Sequence, residues 1–107
     1  MTIIVPHHKS KKEVIGIIDK GADELFASAG GGGVQIVDQQ KVWNESIMSF
    51  SFKGRMGFVS VPLSGTVDVD DQNVTINCDL PPMLKNFIGE AKVQSAVSQK
   101  VKGLIGA

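Results

Sequence analysis

A chain of 107 residues in which eleven basic and eleven acidic side chains cancel is long enough to bury one core of its own. It is too short for a catalytic domain plus a separate binding domain, so one domain over 1–107 is expected. Zero formal net charge provides no global field to gather nucleic acid, and the single cysteine, Cys78, excludes an internal disulfide or a multi-cysteine zinc site.

In chain order, "TIIVPHH" at 2–8 is β-branched and apolar enough for a first strand, with Pro6 marking an edge or an early end. The apolar run within it is too short for a secretory h-region, and nothing elsewhere approaches a membrane span. The expected setting is therefore soluble, reducing and cytoplasmic. Ser10 and Glu13 have the spacing of a capping box, so a helix starts there. Val14, Ile17, Ile18, Gly21, Ala22 and Leu25 recur on one helical face, which predicts an amphipathic helix to about Ala29.

The four glycines at 30–33 follow this helix and precede a strand. A phosphate loop has the opposite order, strand then helix, so the glycines are expected to cap the helix and connect it onward. "VQIVDQQKVW" and "SIMSFSF" predict two strands around a turn at Asn44 and Glu45, and "KGRMG" at 53–57 predicts a loop. From Val59 the chain alternates, with Val59, Val61, Leu63, Val67 and Val69 on one side. After the turn at 70–73 it resumes with Val74, Ile76, Cys78 and Leu80, so the two runs predict an antiparallel hairpin with one kept apolar face. Gly65 on that face predicts a bend, and Pro62 an irregularity or a nearby edge.

Pro81 and Pro82 stop the last strand and prime a helix to about Ile105. Leu84, Phe87, Ile88 and Ala91 share one face of it, while Val93, Val97, Val101 and Leu104 fall on another. Either the helix bends near Gly89, or its second half packs on another element or another chain, which would make a homodimer. The order β-α-β-β-β-β-α predicts an α+β fold, a curved antiparallel sheet gripped by a C-terminal helix.

This order resembles the small polyhydroxyalkanoic acid system proteins, relatives of helix-grip, START-like domains. The resemblance spans nearly the whole chain and rests on "HHKS" before the first helix, "VWNESIMSFSF", the glycine of "LSGTVDV", "VTINCDL" and "PPMLKNFIGEAKV". It implies a role in storage-polyester metabolism, at the granule surface or with an acyl or hydroxyacid ligand, and brings no catalytic motif.

The residues by themselves point to little chemistry. His7 and His8 are the only histidines, and strand neighbours face opposite ways, so they make no facial pair on one metal. No G-x-S-x-G elbow is present, and acid-base chemistry would need His8 beside an acid such as Asp79. No catalytic residue, metal site or cofactor is assigned. The Lys9, Lys11 and Lys12 cluster reads as a solvated helix start, and Trp43 as a sheet-edge aromatic or an exposed anchor. Met48, Met56 and Met83, with Phe50, Phe52, Phe58 and Phe87, are apolar enough to line a hollow between sheet and helix. The ligand-lining set assigned to that hollow is Phe50, Leu63, Ile76, Phe87 and Ile88; the interface set is Val93, Val97, Val101 and Leu104.

Overall fold

The computed structural model describes residues 1–28, 30, 33–79, 82 and 89–106. Its elements are β1 (Thr2–Pro6), α1 (Lys11–Ala27), β2 (Gln35–Asn44), β3 (Ile47–Met56), β4 (Val59–Val69), β5 (Asn73–Cys78) and α2 (Glu90–Ile105). The strands form one five-stranded antiparallel sheet in the order β1-β5-β4-β3-β2. Both helices lie on one face of it, α1 against β2 and β4, and α2 against α1 and β1. This is the α+β order and layering that the alternation and the caps predict.

Local chemistry explains the boundaries. Ser10 Oγ accepts the Glu13 backbone N–H at 3.2 Å, and the hydroxyl in turn lies 3.3 Å from the Glu13 carboxylate. That ties down an otherwise orphaned donor of the first turn. At the other end Ser28 N–H returns to the Glu24 carbonyl and Gly30 N–H to Ala27, so α1 closes before the glycine run. Gly89 has non-helical angles (φ −58°, ψ 132°), and α2 begins after it, with Lys92 and Val93 N–H donating to the Gly89 carbonyl. The helix expected from the prolines to about Ile105 is thus interrupted at Gly89; its second part is α2, and 83–88 lie outside the described residues.

Residues 53–56 are strand rather than loop. Gly54 is buried between Ile36 on β2 and Val61 on β4, and pairing on both sides overrides the poor strand propensity of "KGRM". The turn is only Gly57 and Phe58, since Met56 pairs with Val59, and Gly57 takes φ 61°. A glycine first in a two-residue loop matches the primed turns whose twist suits a hairpin.

On the helix side the sheet is apolar. Ile3, Ile76, Val67 and Met48 make one cross-strand row; Val5, Val74 and Val69 make another. Phe26 from α1 closes an aromatic cluster with Phe50 and Phe52 at centroid distances of 5.4 and 5.8 Å. The opposite face carries Thr2, Asn77, Thr66 and Ser49 in one row, a solvated half of a one-sided sheet. Gly65 keeps the register, pairing with Phe50 on one side and Cys78 on the other, and the Asn77 carbonyl closes on the place a Cβ would take. Pro62 lies where β4 has run past β5: β5 pairs only as far as Gly65, and beyond that, among the described residues, β4 pairs with β3 alone. On β2 the register slips by one residue between Val37 and Gln40, with Asp38 at φ 56°, a bulge that twists an otherwise exposed edge strand.

Candidate functional site

Among the described residues, the enclosed space between sheet and helices is small. Leu25, Phe26, Phe50, Ile76, Cys78 and Val97 surround an apolar cavity of about 30 Å³. That is room for one water, whereas pockets for drug-sized ligands run to roughly 300–1,000 Å³. Of the proposed lining residues, Phe50 and Ile76 border the cavity. Leu63 is buried beside Phe52, a row nearer the β3–β4 turn, and Phe87 and Ile88 lie outside the described residues, as does Met83.

The second apolar set on the C-terminal helix finds its cover within the chain. Val93, Val97 and Val101 are buried, and Leu104 sits over Gly21 of α1, where an added Cβ would come within 2.9 Å of the Leu104 methyls. The physical reason is that the covering layer holds two helices, so the stripe turns inward between α1 and β1, with Val97 over the sheet residues Phe50 and Ile76, instead of toward solvent. A partner chain is not needed to bury it.

The two histidines split as strand neighbours must. His7 is buried (4%), with Nδ1 accepting the Lys9 backbone N–H at 3.2 Å and Nε2 lying 2.8 Å from the Asp70 carbonyl oxygen. A ring nitrogen that accepts has no proton, so Nε2–H is the donor to Asp70. Together with His7 N–H to the Gln72 carbonyl at 2.8 Å, the ring staples the end of β1 to the β4–β5 turn. His8 is exposed. Because Thr2 pairs with Asn77 and Pro6 with Asn73, Asp79 and His8 stand at opposite ends of the β1–β5 pair, about 26 Å apart at the usual strand rise. They cannot exchange a proton.

Other polar groups are structural as well. Asp70 Oδ1 accepts the backbone N–H of Gln72 (2.8 Å) and of Asn73 (2.6 Å), and these bonds hold its carboxyl below the usual range. Asp19 on α1 accepts from Lys41 and from the Trp43 indole, each at 2.9 Å, which likewise lowers its carboxyl and ties α1 to the edge strand. Trp43 is thereby a half-buried clamp. Burial pushes the Cys78 thiol up, chiefly by desolvation, so it is a packed core group. Among the described residues no three of His, Cys, Asp and Glu cluster at metal-binding distance, and no helix is long and apolar enough to cross a membrane.

What stands out lies on the outside. β3 and β4 run beyond the end of β5, and at their turn Phe58 is fully exposed (109%), followed by Val59 at 45%. Phe58 therefore lines no hollow, contrary to the expectation for it. The signal was present in "MGFV": a glycine opening a two-residue turn puts the next residue at the tip. Ile4, Val42 and Ile47, also exposed, are scattered over the polar face of the sheet, as isolated surface apolar residues commonly are. Beside the β2 bulge, an open depression of about 690 Å³ is bordered by Asp38, Gln40, Ser51, Lys53, Pro62 and Ser64. No family model matches this sequence, and no curated protein or solved structure does either.

Proposed function

We propose that this chain is a non-enzymatic protein of storage-polyester metabolism that works by docking on the surface of an apolar particle, the polyester granule, through the β3–β4 turn. The observation that carries this reading is Phe58, a large apolar side chain held wholly in solvent at the end of a two-residue turn. Folding gains nothing from it there. Transferring it to an apolar phase is worth roughly 1.5–3 kcal/mol, and Val59 adds to this.

The resemblance to polyhydroxyalkanoic acid system proteins supplies the particle. Among the described residues the enclosed cavity is about 30 Å³, too small for an acyl chain, which favours the surface over an enclosed ligand. The separation of His8 from Asp79 removes the one acid-base pair that the sequence suggested. Purified protein is mixed with polyester granules and run on a density gradient, wild type beside Phe58→Ser. Wild type moves with the granules and the variant stays in the soluble fractions; equal behaviour of the two, or no wild-type binding, overturns the reading.

A further inference from the structure

The charges around the turn are segregated, although the chain as a whole is neutral. From Ile47 to Val67 the sequence has two ionised side chains, Lys53 and Arg55, and no acid; from Leu25 to Val37, which leads into the neighbouring strand, it has none. Arg55 pairs across the hairpin with Ser60 and across β2 with Gln35; Lys53 pairs with Pro62 and Val37. At a rise of about 3.4 Å per residue, Arg55 stands roughly 7 Å and Lys53 roughly 13 Å behind the turn. The first acid met along this part of the sheet is Asp38, 3.6 Å from the Lys53 ammonium. Both partners of that pair are at least half exposed, so the bond is weak and exchangeable. Asp79 comes next, beyond the Gly65–Cys78 pair, about 20 Å from Phe58 by the same rise.

These spacings match an interface that is apolar inside and anionic at its rim. Interfacial segments bury their apolar residues about 5–10 Å into the headgroup–acyl boundary. With Phe58 at that depth Arg55 lies among the headgroups, its apolar stem along the boundary and its guanidinium outward. Lys53 stays within about a Debye length of the charged plane. We propose that the turn recognises an anionic phospholipid surface, with Phe58 and Val59 as the inserted wedge and Arg55 and Lys53 as the groups that read headgroup charge. This rests on the docking reading above and names what the particle must present at its surface.

The test is flotation of the full chain with two vesicle types, phosphatidylcholine alone and phosphatidylcholine containing phosphatidylglycerol. Lipid-free polyester beads serve as a third surface. At about fivefold in affinity per basic residue near a charged surface, Lys53→Gln/Arg55→Gln should bind anionic vesicles about 25-fold more weakly than wild type. The same double variant should match wild type on beads. Phe58→Ser should lose binding on all three surfaces, and raised salt should weaken wild type on anionic vesicles only. Equal wild-type binding to neutral and anionic vesicles, or anionic binding unchanged in the double variant, overturns the inference while leaving bead docking intact. Charge-selective vesicle binding with no binding to beads does the reverse: the polyester reading falls and the anionic surface stands.

Discussion

Gly65→Ala is predicted to be among the costliest one-methyl changes in this chain. A Cβ built on Gly65 would run into the Asn77 backbone carbonyl oxygen and lie 2.7 Å from Phe50 Cζ. The first obstacle cannot rotate away, because Asn77 belongs to β5 and is held in register with Thr66 and Thr2. The second yields only by disturbing Phe50, which stacks on Phe52 with centroids 5.9 Å apart and an 8° interplanar angle, and meets Phe26 at 5.4 Å. Overpacking of this kind costs about 1–3 kcal/mol, here at the upper end since backbone must move. Replacing a strand glycine returns about 0.5–1 kcal/mol of entropy. The net loss is about 2 kcal/mol.

For a domain of this size that is roughly 8–12 °C in melting temperature, and about 1 M in the urea midpoint at an m-value near 2 kcal/mol/M. Unfolding followed by the fluorescence of Trp43, the sole tryptophan, measures it. Gly16→Ala is the control: nothing lies within 4 Å of its Cβ position on an exposed part of α1. That change should stabilise by up to about 1 kcal/mol, since alanine outranks glycine in helices. A Gly65→Ala midpoint at or above wild type would refute the argument that β4, β5 and the Phe50 ring close on a site with no room for a side chain.

Two further outcomes follow from the polar groups. The Asp70 carboxyl is lowered by its two backbone donors, so its contribution is present above the unfolded pKa of about 3.9 and is lost as pH falls through the lower folded value. Asp70→Asn should therefore be less stable than wild type at pH 7, with the gap closing in urea titrations below about pH 4; a gap independent of pH would contradict this. Cys78 is 7% exposed and its thiol is pushed up by burial, so Ellman's reagent should react slowly with native protein and rapidly in denaturant. Rapid native reaction would place the thiol elsewhere.

Much of the sheet was legible because one side of it is wet. A one-sided sheet writes its register as alternation, and Val67, Val69, Val74 and Ile76 lie where their phase put them. The same logic set the cap at Ser10, where a short side chain and its partner three residues on are local chemistry. What failed to show in the sequence depended on partners far along the chain. The strand at 53–56 is specified by β2 and β4 rather than by its own propensity, and the clamp from Trp43 and Lys41 to Asp19 joins residues more than twenty positions apart. The stripe Val93, Val97 and Val101 was visible as periodicity, but its cover depends on how two helices share one sheet, which no single helix encodes.

The candidate site shows the complementary limit. Phe50 and Ile76 were correctly placed facing inward, yet inward residues are what a filled core also has, so their pattern alone could not separate a ligand hollow from packing. Phe58 went the other way: composition counts it among the core aromatics, and only turn geometry expels it. A sequence under selection for folding alone has a cheaper residue for that position, since Asn, Ser or Asp after glycine satisfies the same two-residue turn. Phe58→Ser should accordingly leave the urea midpoint within about 0.5 kcal/mol of wild type, as expected for surface changes away from packing, while abolishing particle binding. Loss of both together would make Phe58 a folding residue and remove the ground for reading this turn as a docking element. Loss of binding alone would identify it as apolar surface kept at a stability-neutral position, which only an external partner can explain.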